Sequence, residues 1–535
     1  MPVLTLLRDG KQHRMAYEPG DSLRDLLDAT DYRVRSACQG LGACGLCRVR
    51  LAAGDGGPIT TAEELQLGVA GIAAGLRLAC QVRPAGDVTV ELLNPAAPSA
   101  WRAPPPGLVA AAPPAPSFDR PPPPGVDRPL GAAVDLGTSH LTLAIHELAT
   151  GRRLALRFGR NPQGRHGADI VTRLMAAEDP AIARQLAAEA RDAIGNALAD
   201  VAQREGIDLG RIARVVVVGN TAMLALLADR NHGLLLQPAH WSDTIDCAPT
   251  DSAAWANAWG IAADAEIEVV PPLAGFVGSD LLAGLVASDF LAGPAPALLV
   301  DFGTNSEIAL WTGAALWVTA AAGGPAFETG TGRCGMPAEA GAIYRVAFDA
   351  AGQPVSTILG DDRARGICGS GLVDLVAGLR RQGMLTATGR FADGRAGFDV
   401  PVGDPAGNGV LSLGWRDVDA LQRAKGAIGA GIGVLCAQAG IGLGDLRRVV
   451  AAGLFGRYLD VANARAIGLL PDVPAERIEL AGNTALAGAA VLLLSAAARA
   501  ALAQARATAH SINLARLPDF DAAFLEHLYL QPMTS

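Results

Sequence analysis

Four cysteines near the start of the chain have the spacing of an iron–sulfur site. Three lie on one short loop in the pattern C-x5-C-x2-C and the fourth follows later: Cys38, Cys44, Cys47 and Cys80. Four thiolates with three on one loop suit a 2Fe–2S cluster, whereas a structural zinc site usually pairs two C-x2-C units. Glycines between the cysteines let the loop curl and point backbone N–H groups at the cluster sulfurs. The sequence therefore predicts a one-electron redox centre.

Two Asp-x-Gly-Thr turns indicate phosphate chemistry elsewhere in the chain. Each follows an apolar strand, and they begin at Asp135 and Asp301. A carboxylate at a strand end suits Mg²⁺, directly or through water, while turn N–H groups and hydroxyls suit phosphate oxygens. The candidate phosphate contacts are Gly137, Thr138, Ser139, Gly303, Thr304 and Asn305. The sequence has no G-x-x-x-x-G-K-[ST] motif, which excludes a P-loop.

The two turns are part of a longer internal repeat. A strand ending in glycine recurs at 215–219 and 449–453, and a further strand leads into Gly482 and Asn483. Two different elements that recur in the same order predict two similar α/β lobes facing each other. Further candidates for nucleotide contacts are Asn220, Thr221, Gly323, Gly324, Gly453, Phe455 and Gly456, with Glu307 and Glu328 as weaker Mg²⁺ or water partners. A different role is open for some of these residues, namely tight turns that pack the lobes: Asn220, Thr221, Gly323, Gly324, Gly482 and Asn483.

The cysteine loop and the turns sit in separate parts of the chain. Residues 1–94 indicate a compact α+β module, with a hairpin over 3–17, a helix carrying Leu23, Leu26 and Leu27, and a final strand at 87–92. Residues 95–130 hold 13 of the 34 prolines and predict an extended spacer, with an ordered surface strap as the alternative. The lobes should occupy 131–295 and 296–535.

Composition narrows the class of protein. The chain has 535 residues, 50% hydrophobic and 18% charged, with a net charge of −9, so it can bury several cores. A mildly acidic chain without a basic run is a poor binder of nucleic acid or membrane surfaces. The Ala-rich stretch 485–503 predicts one buried helix, and no signal peptide is evident, so we expect a soluble cytoplasmic protein. Cys247, Cys334, Cys368 and Cys436 lack ligand spacing and should be small buried residues.

The individual motifs resemble two known folds. The cysteine loop makes the first 94 residues resemble a plant or adrenodoxin-type ferredoxin domain. This resemblance implies a β-grasp fold. The turns at Asp135 and Asp301 and the segment 452–456 resemble the phosphate-1, phosphate-2 and adenosine motifs of the acetate and sugar kinase/Hsp70/actin superfamily. That resemblance implies ATP in the cleft between two ribonuclease-H-like lobes. The adenosine motif usually has two adjacent glycines, whereas Leu454 follows Gly453 here.

Taken together, the chain resembles the ATP-dependent reductive activators of corrinoid-dependent proteins. Matching segments are 134–139, 161–163, 167–174, 218–223, 301–308, 322–328, 366–372, 424–428 and 452–456. The resemblance implies one-electron reduction of a corrinoid protein from Co(II) to Co(I), with Asp135 and Asp301 as catalytic residues in ATP hydrolysis. It also implies a reductase or ferredoxin as electron donor, and a homodimer.

Three other functions are compatible with parts of the sequence. One is a kinase of a small acid or sugar with the ferredoxin-like module as a regulator. Another is an ATP-driven electron donor to a different metalloenzyme, although such activators usually carry a 4Fe–4S cluster on cysteines inside the kinase-like lobes. The last is a non-enzymatic electron carrier whose lobes only sense nucleotide.

Overall fold

The protein is built from three packed units and a connecting segment. The computed structural model describes residues 2–8, 11–28, 30–35, 38, 40–95, 100–103, 118–167, 169–303, 305–321, 323, 334–336, 338, 341–359, 364–402, 409–456 and 458–534. We call the units the cluster domain (residues 1–94), lobe 1 (131–295, with its first strand starting at Leu130) and lobe 2 (296–535).

The cluster domain is a small sheet with two helices. Its elements are β1 (Val3–Arg8), β2 (Lys11–Ala16), α1 (Leu23–Asp28), β3 (Arg48–Ala53), α2 (Thr61–Ala73), β4 (Leu76–Leu78) and β5 (Val88–Leu92). The sheet order is β2-β1-β5-β3-β4, with β1 antiparallel to β2 and parallel to β5, as in a β-grasp fold. Alternate residues Leu4, Leu6, Val88 and Val90 are fully or almost fully buried and form its core. The predicted hairpin, helix and final strand are all present.

Lobe 1 is a five-stranded mixed sheet covered by helices. Its elements are β6 (Leu130–Leu136), β7 (His140–Glu147), β8 (Arg153–Arg160), α3 (Ile170–Ala176), α4 (Pro180–Glu205), β9 (Ile212–Gly219), α5 (Thr221–Ala228), α6 (Ser252–Trp259), β10 (Glu266–Val269) and α7 (Ser279–Ala287). The order β10-β9-β6-β7-β8 is that of a ribonuclease-H-like sheet. The strand β6 is buried along almost its whole length because it has strands on both edges and helices on its faces.

Lobe 2 repeats the same sheet with additions. Its sheet elements and main helices are β11 (Ala297–Phe302), β12 (Ser306–Trp311), β13 (Leu316–Ala321), β14 (Ala342–Phe348), β15 (Pro354–Ile358), β16 (Gly366–Ile367), α8 (Gly369–Arg381), β17 (Gly397–Val402), β18 (Gly409–Gly414), α9 (Trp415–Ala439), β19 (Arg448–Ala452), α10 (Gly453–Gly456), α11 (Val461–Ala466), β20 (Ile478–Gly482), α12 (Thr484–Leu494), α13 (Ala496–Ala507), β21 (Ala509–Ser511) and α14 (Phe520–Glu526). The order β20-β19-β11-β12-β13 matches lobe 1 strand for strand, with β21 added at the edge. The predicted pair of similar lobes is confirmed.

The lobes are joined by two crossing helices. Helix α7 of lobe 1 packs against α12 of lobe 2, and α12 also lies on strands β6 and β9 of lobe 1. The helices approach so closely that a Cβ atom added to Gly488 would lie 2.0 Å from the carbonyl oxygen of Ala283. One apolar core therefore runs through both lobes.

The helix predicted over 485–503 is two helices. Helices α12 and α13 meet at an angle of 115°. Ser495 lies between them, and its hydroxyl accepts a hydrogen bond from the backbone N–H of Ala498, which begins a new helix. Only α12 is buried along most of its length. Across the described residues, no single helix has both the length and the apolar content needed to cross a bilayer.

The described parts of the proline-rich segment are packed against the lobes. Trp101 is 7% exposed and belongs to the lobe 1 core. Asp119 accepts hydrogen bonds from the first two N–H groups of α13, and the Pro121 carbonyl accepts one from Arg214. Residues 100–103 and 118–130 therefore form the ordered strap rather than the extended tether, while 96–99 and 104–117 lie outside the described residues.

Candidate functional site

The four predicted cluster cysteines meet at one end of the cluster domain as two pairs. The Sγ atoms of Cys47 and Cys80 are 3.4 Å apart, and Cys44 hydrogen-bonds to the sulfur of Cys38. Cys47 and Cys80 are buried, whereas Cys38 and Cys44 are half-buried, so one pair faces the interior and the other the surface. Two irons bridged by sulfides require two cysteine thiolates each, which fits this pairing.

The loop around the cysteines supplies positive potential and donors. Gly42 has φ +75°, and a Cβ atom there would lie 2.6 Å from Ala62, so the tight curl needs glycine. The pKa of the Cys80 thiol is lowered to about 6, first by a hydrogen bond from Cys47 and then by Gln81, the Gly42 N–H and Arg24. Gln81, the Gly42 N–H and Arg24 would also stabilise an anionic iron–sulfur centre, in which Cys47 is itself a thiolate, so the residues present fit a 2Fe–2S cluster.

The predicted phosphate turns face each other across the cleft between the lobes. Of the predicted residues, the cleft is lined by Asp135, Gly137, Thr138, Ser139, Asn220, Asp301, Gly303, Asn305 and Gly453. Each sheet delivers its aspartate in the same way, because β6 pairs in parallel with β9 and β11 pairs in parallel with β19. The carboxyl ends of parallel strands meet at one sheet edge, which is where such folds bind ligands.

Hydrogen bonds fix the lobe 1 turn and link it to lobe 2. Asp135 accepts bonds of 3.1 Å from Thr142 and from the side-chain amide of Asn483, which belongs to lobe 2. Asn161 donates to the Gly137 carbonyl at 2.9 Å, and Asn220 donates to the Thr138 hydroxyl at 3.0 Å. These contacts hold the turn in place before any ligand arrives, which lowers the cost of binding.

Glycine at position 453 leaves room for the lobe 2 turn. It has φ +89°, and a Cβ atom there would lie 2.5 Å from the Phe302 carbonyl oxygen and 2.9 Å from Asp301 Oδ1. Any larger residue would therefore push the Asp301 carboxylate away from its position. The glycine-lined, carboxylate-bearing cleft fits a nucleotide with its divalent cation.

Some predicted residues do not reach the cleft. Thr221 is fully buried and its hydroxyl donates to the Ala274 carbonyl at 2.8 Å, so it packs the turn. Phe455 packs edge-on against Phe302 with ring centroids 5.3 Å apart. Gly323 and Gly456 are not among the residues that line the cleft, and they lie against Ser306 and Ala451. For these four residues the structure favours a packing role. Thr304, Gly324 and Glu328 lie outside the described residues.

Asp280 is a cleft residue that the sequence reasoning missed. It lies in the first turn of α7, and burial raises its pKa to about 7, with the Asp135 carboxylate adding to the rise. Burial also raises the pKa of Asp135. Glu307 and Asn483, both named from the sequence, complete the polar wall. The available signal for Asp280 was Gly278-Ser279-Asp280 directly before the apolar run of α7.

The carboxylates line the cleft without converging on one point. Among the described residues, no group of three or more His, Cys, Asp or Glu side chains converges on a single metal ion, and the four cluster cysteines form two pairs rather than one such group. Mg²⁺ normally keeps several waters and is bound by one or two carboxylates together with substrate phosphates. The spread of Asp135, Asp280, Asp301 and Glu307 suits a cation that enters with its nucleotide.

Three family profiles match the sequence. Residues 7–85 match the 2Fe–2S iron–sulfur cluster binding domain, residues 130–292 match the RACo middle region, and residues 295–535 match the C-terminal domain of RACo, its ASKHA domain. The last two profiles cover the two lobes one after the other.

Two curated relatives carry related names. The corrinoid activation enzyme RamQ of Eubacterium limosum is 31% identical over 389 residues, which cover 68% of this chain and 64% of that protein. The [Co(II) methylated amine-specific corrinoid protein] reductase of Methanosarcina barkeri is 29% identical over 313 residues, which cover 54% of this chain and 57% of that protein. The chain thus spans less than two thirds of the length of either relative.

A solved structure has the same fold along the whole chain. A protein described as a reductive activator for a corrinoid, iron–sulfur protein matches with a TM-score of 0.65 and 24% identity over 99% of both chains. The two RACo profiles meet at the boundary between the lobes and together include every residue that lines the cleft, so both lobes match domains of the RACo family.

Proposed function

We propose that the protein is an ATP-dependent reductive activator of a corrinoid protein, which it returns from Co(II) to Co(I) by one-electron transfer. The observation that carries this proposal is that one chain contains both a site of four paired cysteines and a cleft between two lobes that is lined by carboxylates. The names of the two curated relatives, which refer to corrinoid activation and to Co(II) corrinoid protein reduction, support the same reaction.

The cluster domain would act as the electron carrier. A 2Fe–2S cluster held by Cys38, Cys44, Cys47 and Cys80 would accept and release one electron at a time. Cys38 and Cys44, the half-buried pair, lie on the side from which a donor and an acceptor can approach. We propose a cellular reductase or ferredoxin as the donor, with the cytoplasm as the compartment.

The cleft would supply the driving force through ATP. The turns at Gly137 and Gly303 would hold phosphate oxygens, and the Asp135 and Asp301 carboxylates would orient Mg²⁺ and its water ligands. Because Asp135 is bonded to Asn483 across the cleft, nucleotide binding and lobe position are linked at that contact. ATP can favour reduction only by binding one arrangement of the protein more tightly than another. We propose that a second copy of the chain forms a homodimer with it.

The decisive experiment is ATP-dependent formation of Co(I). The purified protein with its cluster, a purified Co(II) corrinoid protein, a chemical reductant and MgATP are combined, and the Co(I) absorption spectrum is followed. We expect Co(I) only when ATP and the activator are both present. If Co(I) forms equally fast without ATP, the proposed role of ATP is wrong.

The variant Asp301→Asn tests the cleft separately from the cluster. Loss of this carboxylate should lower ATP-dependent Co(I) formation by about 100-fold, because one group that orients charge in the transition state is removed. The visible absorbance of the cluster should not change, since the cysteines lie in another domain. The matched control is Asp419→Asn, which removes a surface carboxylate paired with Arg423 and should leave both signals intact.

The same assay separates the alternative functions. A small-molecule kinase would consume ATP only with its substrate and would yield a phosphorylated product without Co(I). A donor to another metalloenzyme would hydrolyse ATP with that acceptor and leave the corrinoid as Co(II). A carrier that only senses nucleotide would transfer electrons without net ATP hydrolysis.

A further inference from the structure

The cluster domain rests on lobe 1 through buried charges. Three ion pairs cross the interface, and each joins a cluster-domain side chain to helix α4: Arg24–Glu205, Arg33–Asp200 and Asp28–Arg204. The first two have N–O distances of 2.5 and 2.9 Å. All six side chains are at most 10% exposed. Buried charge pairs therefore join the cluster domain to helix α4.

Strand β8 contributes a fourth arginine to the same network. Arg157 donates to Asp200 at 2.5 Å and to Glu205 at 3.0 Å, so both α4 carboxylates are shared between the two units. Four arginines face three carboxylates, and the Nε and Nη1 atoms of Arg204 have no hydrogen-bond partner among the described residues. Burial lowers the pKa of Arg204, with Arg24 and Arg33 adding to the effect.

Such a network favours a reversible contact. Buried ion pairs regain hydration when they separate, so their net contribution to association is small unless every polar atom is satisfied. The unsatisfied atoms of Arg204 weaken the docked state further. Added salt stabilises the separated charges and should favour release.

A short piece of the connecting segment is held between the two units. Arg102 and Phe158 exchange backbone hydrogen bonds of 2.7 and 3.0 Å, which extends the lobe 1 sheet beyond its edge strand β8. The Trp101 carbonyl accepts a bond of 2.8 Å from Arg33, and the Ala103 N–H donates to the Asp28 carbonyl. The segment 101–103 is thus bonded to both units at once.

The same strand lines the nucleotide cleft. Phe158 forms part of the cleft wall and stacks on His140 with ring centroids 4.6 Å apart. Its neighbour Arg157 belongs to the ion network, and its neighbour Gly159 lies against the Trp101 ring. At the other end, the Arg24 guanidinium is 3.2 Å from where a Cβ atom on Gly40 of the cysteine loop would lie. Three consecutive residues of β8 therefore contact the cleft, the connecting segment and the α4 carboxylates that bind the docked domain.

We propose that this face of lobe 1, formed by the end of α4 and by β8, is a releasable docking surface for the chain's own cluster domain, and that nucleotide in the cleft changes the docking equilibrium through Phe158. The two states are docked, with the Arg102–Phe158 backbone bonds made, and released, with those bonds broken. A ligand that contacts Phe158 in one state more favourably than in the other shifts the balance, and docking shifts ligand affinity by the same factor. Docking of the cluster domain on lobe 1 can be measured without a corrinoid protein or a reductant.

The test follows trypsin cleavage after Arg102 in the full-length protein with its cluster. The peptide bond there is protected while Arg102 is bonded to Phe158, so the initial cleavage rate reports the released population when docking is fast. Fragments 1–102 and 103–535 are quantified by mass. In the double variant Asp200→Asn/Glu205→Gln, cleavage should be at least about tenfold faster because Arg24, Arg33 and Arg157 lose their carboxylate partners on α4, and only Asp28 remains as a counter-charge for Arg24 and Arg33.

The matched control is Glu189→Gln on the same helix. Glu189 pairs with Arg165 and His166 rather than with the cluster domain. The Glu189→Gln variant should therefore be cleaved after Arg102 at the wild-type rate. A second variant, Gly159→Ala, leaves every charge in place but puts a methyl group 2.5 Å from the Trp101 ring, and it should also speed cleavage. Raising the salt concentration on the unmodified protein should do the same, which avoids any effect of mutation on folding.

Three results would overturn the inference. Docking is refuted if the double variant, Gly159→Ala and high salt all leave the rate unchanged, or if Glu189→Gln accelerates cleavage as much as the double variant. Coupling to the cleft is refuted if a saturating non-hydrolysable ATP analogue with Mg²⁺ leaves the wild-type rate the same. Failure of corrinoid reduction would affect none of these readings.

Discussion

The carboxylates that line the cleft lie on different kinds of secondary-structure element. Asp135 and Asp301 end equivalent strands, whereas Asp280 sits on the first turn of a helix. Burial makes ionisation harder and raises the pKa values of Asp135 and Asp280, and at Asp280 the nearby Asp135 carboxylate adds to the rise. A bound cation would offset the free-energy cost of ionising these carboxylates. Without a ligand, we therefore expect the ionised carboxylates to destabilise the folded protein.

The variant Asp280→Asn measures that unfavourable charge. The folded-state pKa of about 7 lies above the ordinary value for aspartate, so the folded protein holds a proton that the unfolded chain has lost. The contribution of Asp280 to the free energy of unfolding of the wild type therefore falls as the pH rises from about 4 to 7. The variant lacks the group and should be more stable than the wild type at pH 8 by about 4 kcal/mol, with a smaller difference at pH 5.

Thermal unfolding at the two pH values, without nucleotide, checks this expectation. The surface variant Asp419→Asn should show no such pH-dependent difference. ATP hydrolysis by Asp280→Asn should fall even though stability rises, because the lost carboxylate faces the nucleotide. An equal stability difference at pH 5 and pH 8 would mean that Asp280 is not held protonated in the cleft.

Residues that act through local spacing were predictable, and residues that act through the fold were not. The cysteine loop and the two Asp-Gly turns carry their geometry within a few positions. Thr221 and Phe455 stand beside true cleft residues in sequence, but the helices that begin there turn their side chains into the core. The only local signal for Asp280 was Gly278-Ser279-Asp280 before an apolar run, and it is the packing of α7 that places this carboxylate in the cleft.

At the scale of elements, the crossing of α7 and α12 sets the site. Asp280 lies at the cleft end of α7, and Asn483 caps α12 while its amide reaches Asp135. The sequence indicated an apolar helix after Asn483 but not where it ends, because the stretch stays Ala-rich through Ser495. A single small residue, Gly488, allows the two helices to touch.

The substitution Gly488→Ala should therefore disturb both stability and nucleotide binding. The added methyl group would overlap the Ala283 backbone, and overpacking of this kind costs about 1–3 kcal/mol. Moving the helices apart would also shift Asp280 and Asn483, so the KM for ATP should rise. Denaturant unfolding and steady-state ATPase assays measure the two effects.

The comparison variant is Gly444→Ala. A Cβ atom at Gly444 meets nothing within 4 Å, so this change should leave stability and KM unaltered. Equal behaviour of the two alanine variants would show that the α7–α12 contact can relax without cost.

At the scale of the whole molecule, neither lobe is complete alone. Helix α12 comes from lobe 2 yet covers strands β6 and β9 of lobe 1, while α7 from lobe 1 contacts β11 and β12 of lobe 2. The repeat in the sequence predicted two lobes, but it gave no sign that each helix packs across the boundary. Contacts between positions that are far apart in the chain leave no local pattern to read.

A fragment of residues 130–295 should consequently fail to fold, whereas residues 130–535 should fold. Without α12 the fragment would expose the apolar face of β6 and β9, which favours aggregation. Expression of both fragments, followed by size-exclusion chromatography and circular dichroism, tests this. A monomeric, cooperatively unfolding 130–295 fragment would show that the lobe has a sufficient core of its own.

The tight contact between Gly488 and Ala283 also fixes the geometry of any cleft movement. Because the helix backbones touch there, the lobes can rotate about that point more easily than they can slide past it. The contact then acts as the pivot of the motion, and the displacement of a residue during cleft opening grows with its distance from that contact. Asp280 and Asn483, a few residues away on the two helices, would stay nearly in register as the cleft opens, while the outer rims of the lobes travel furthest.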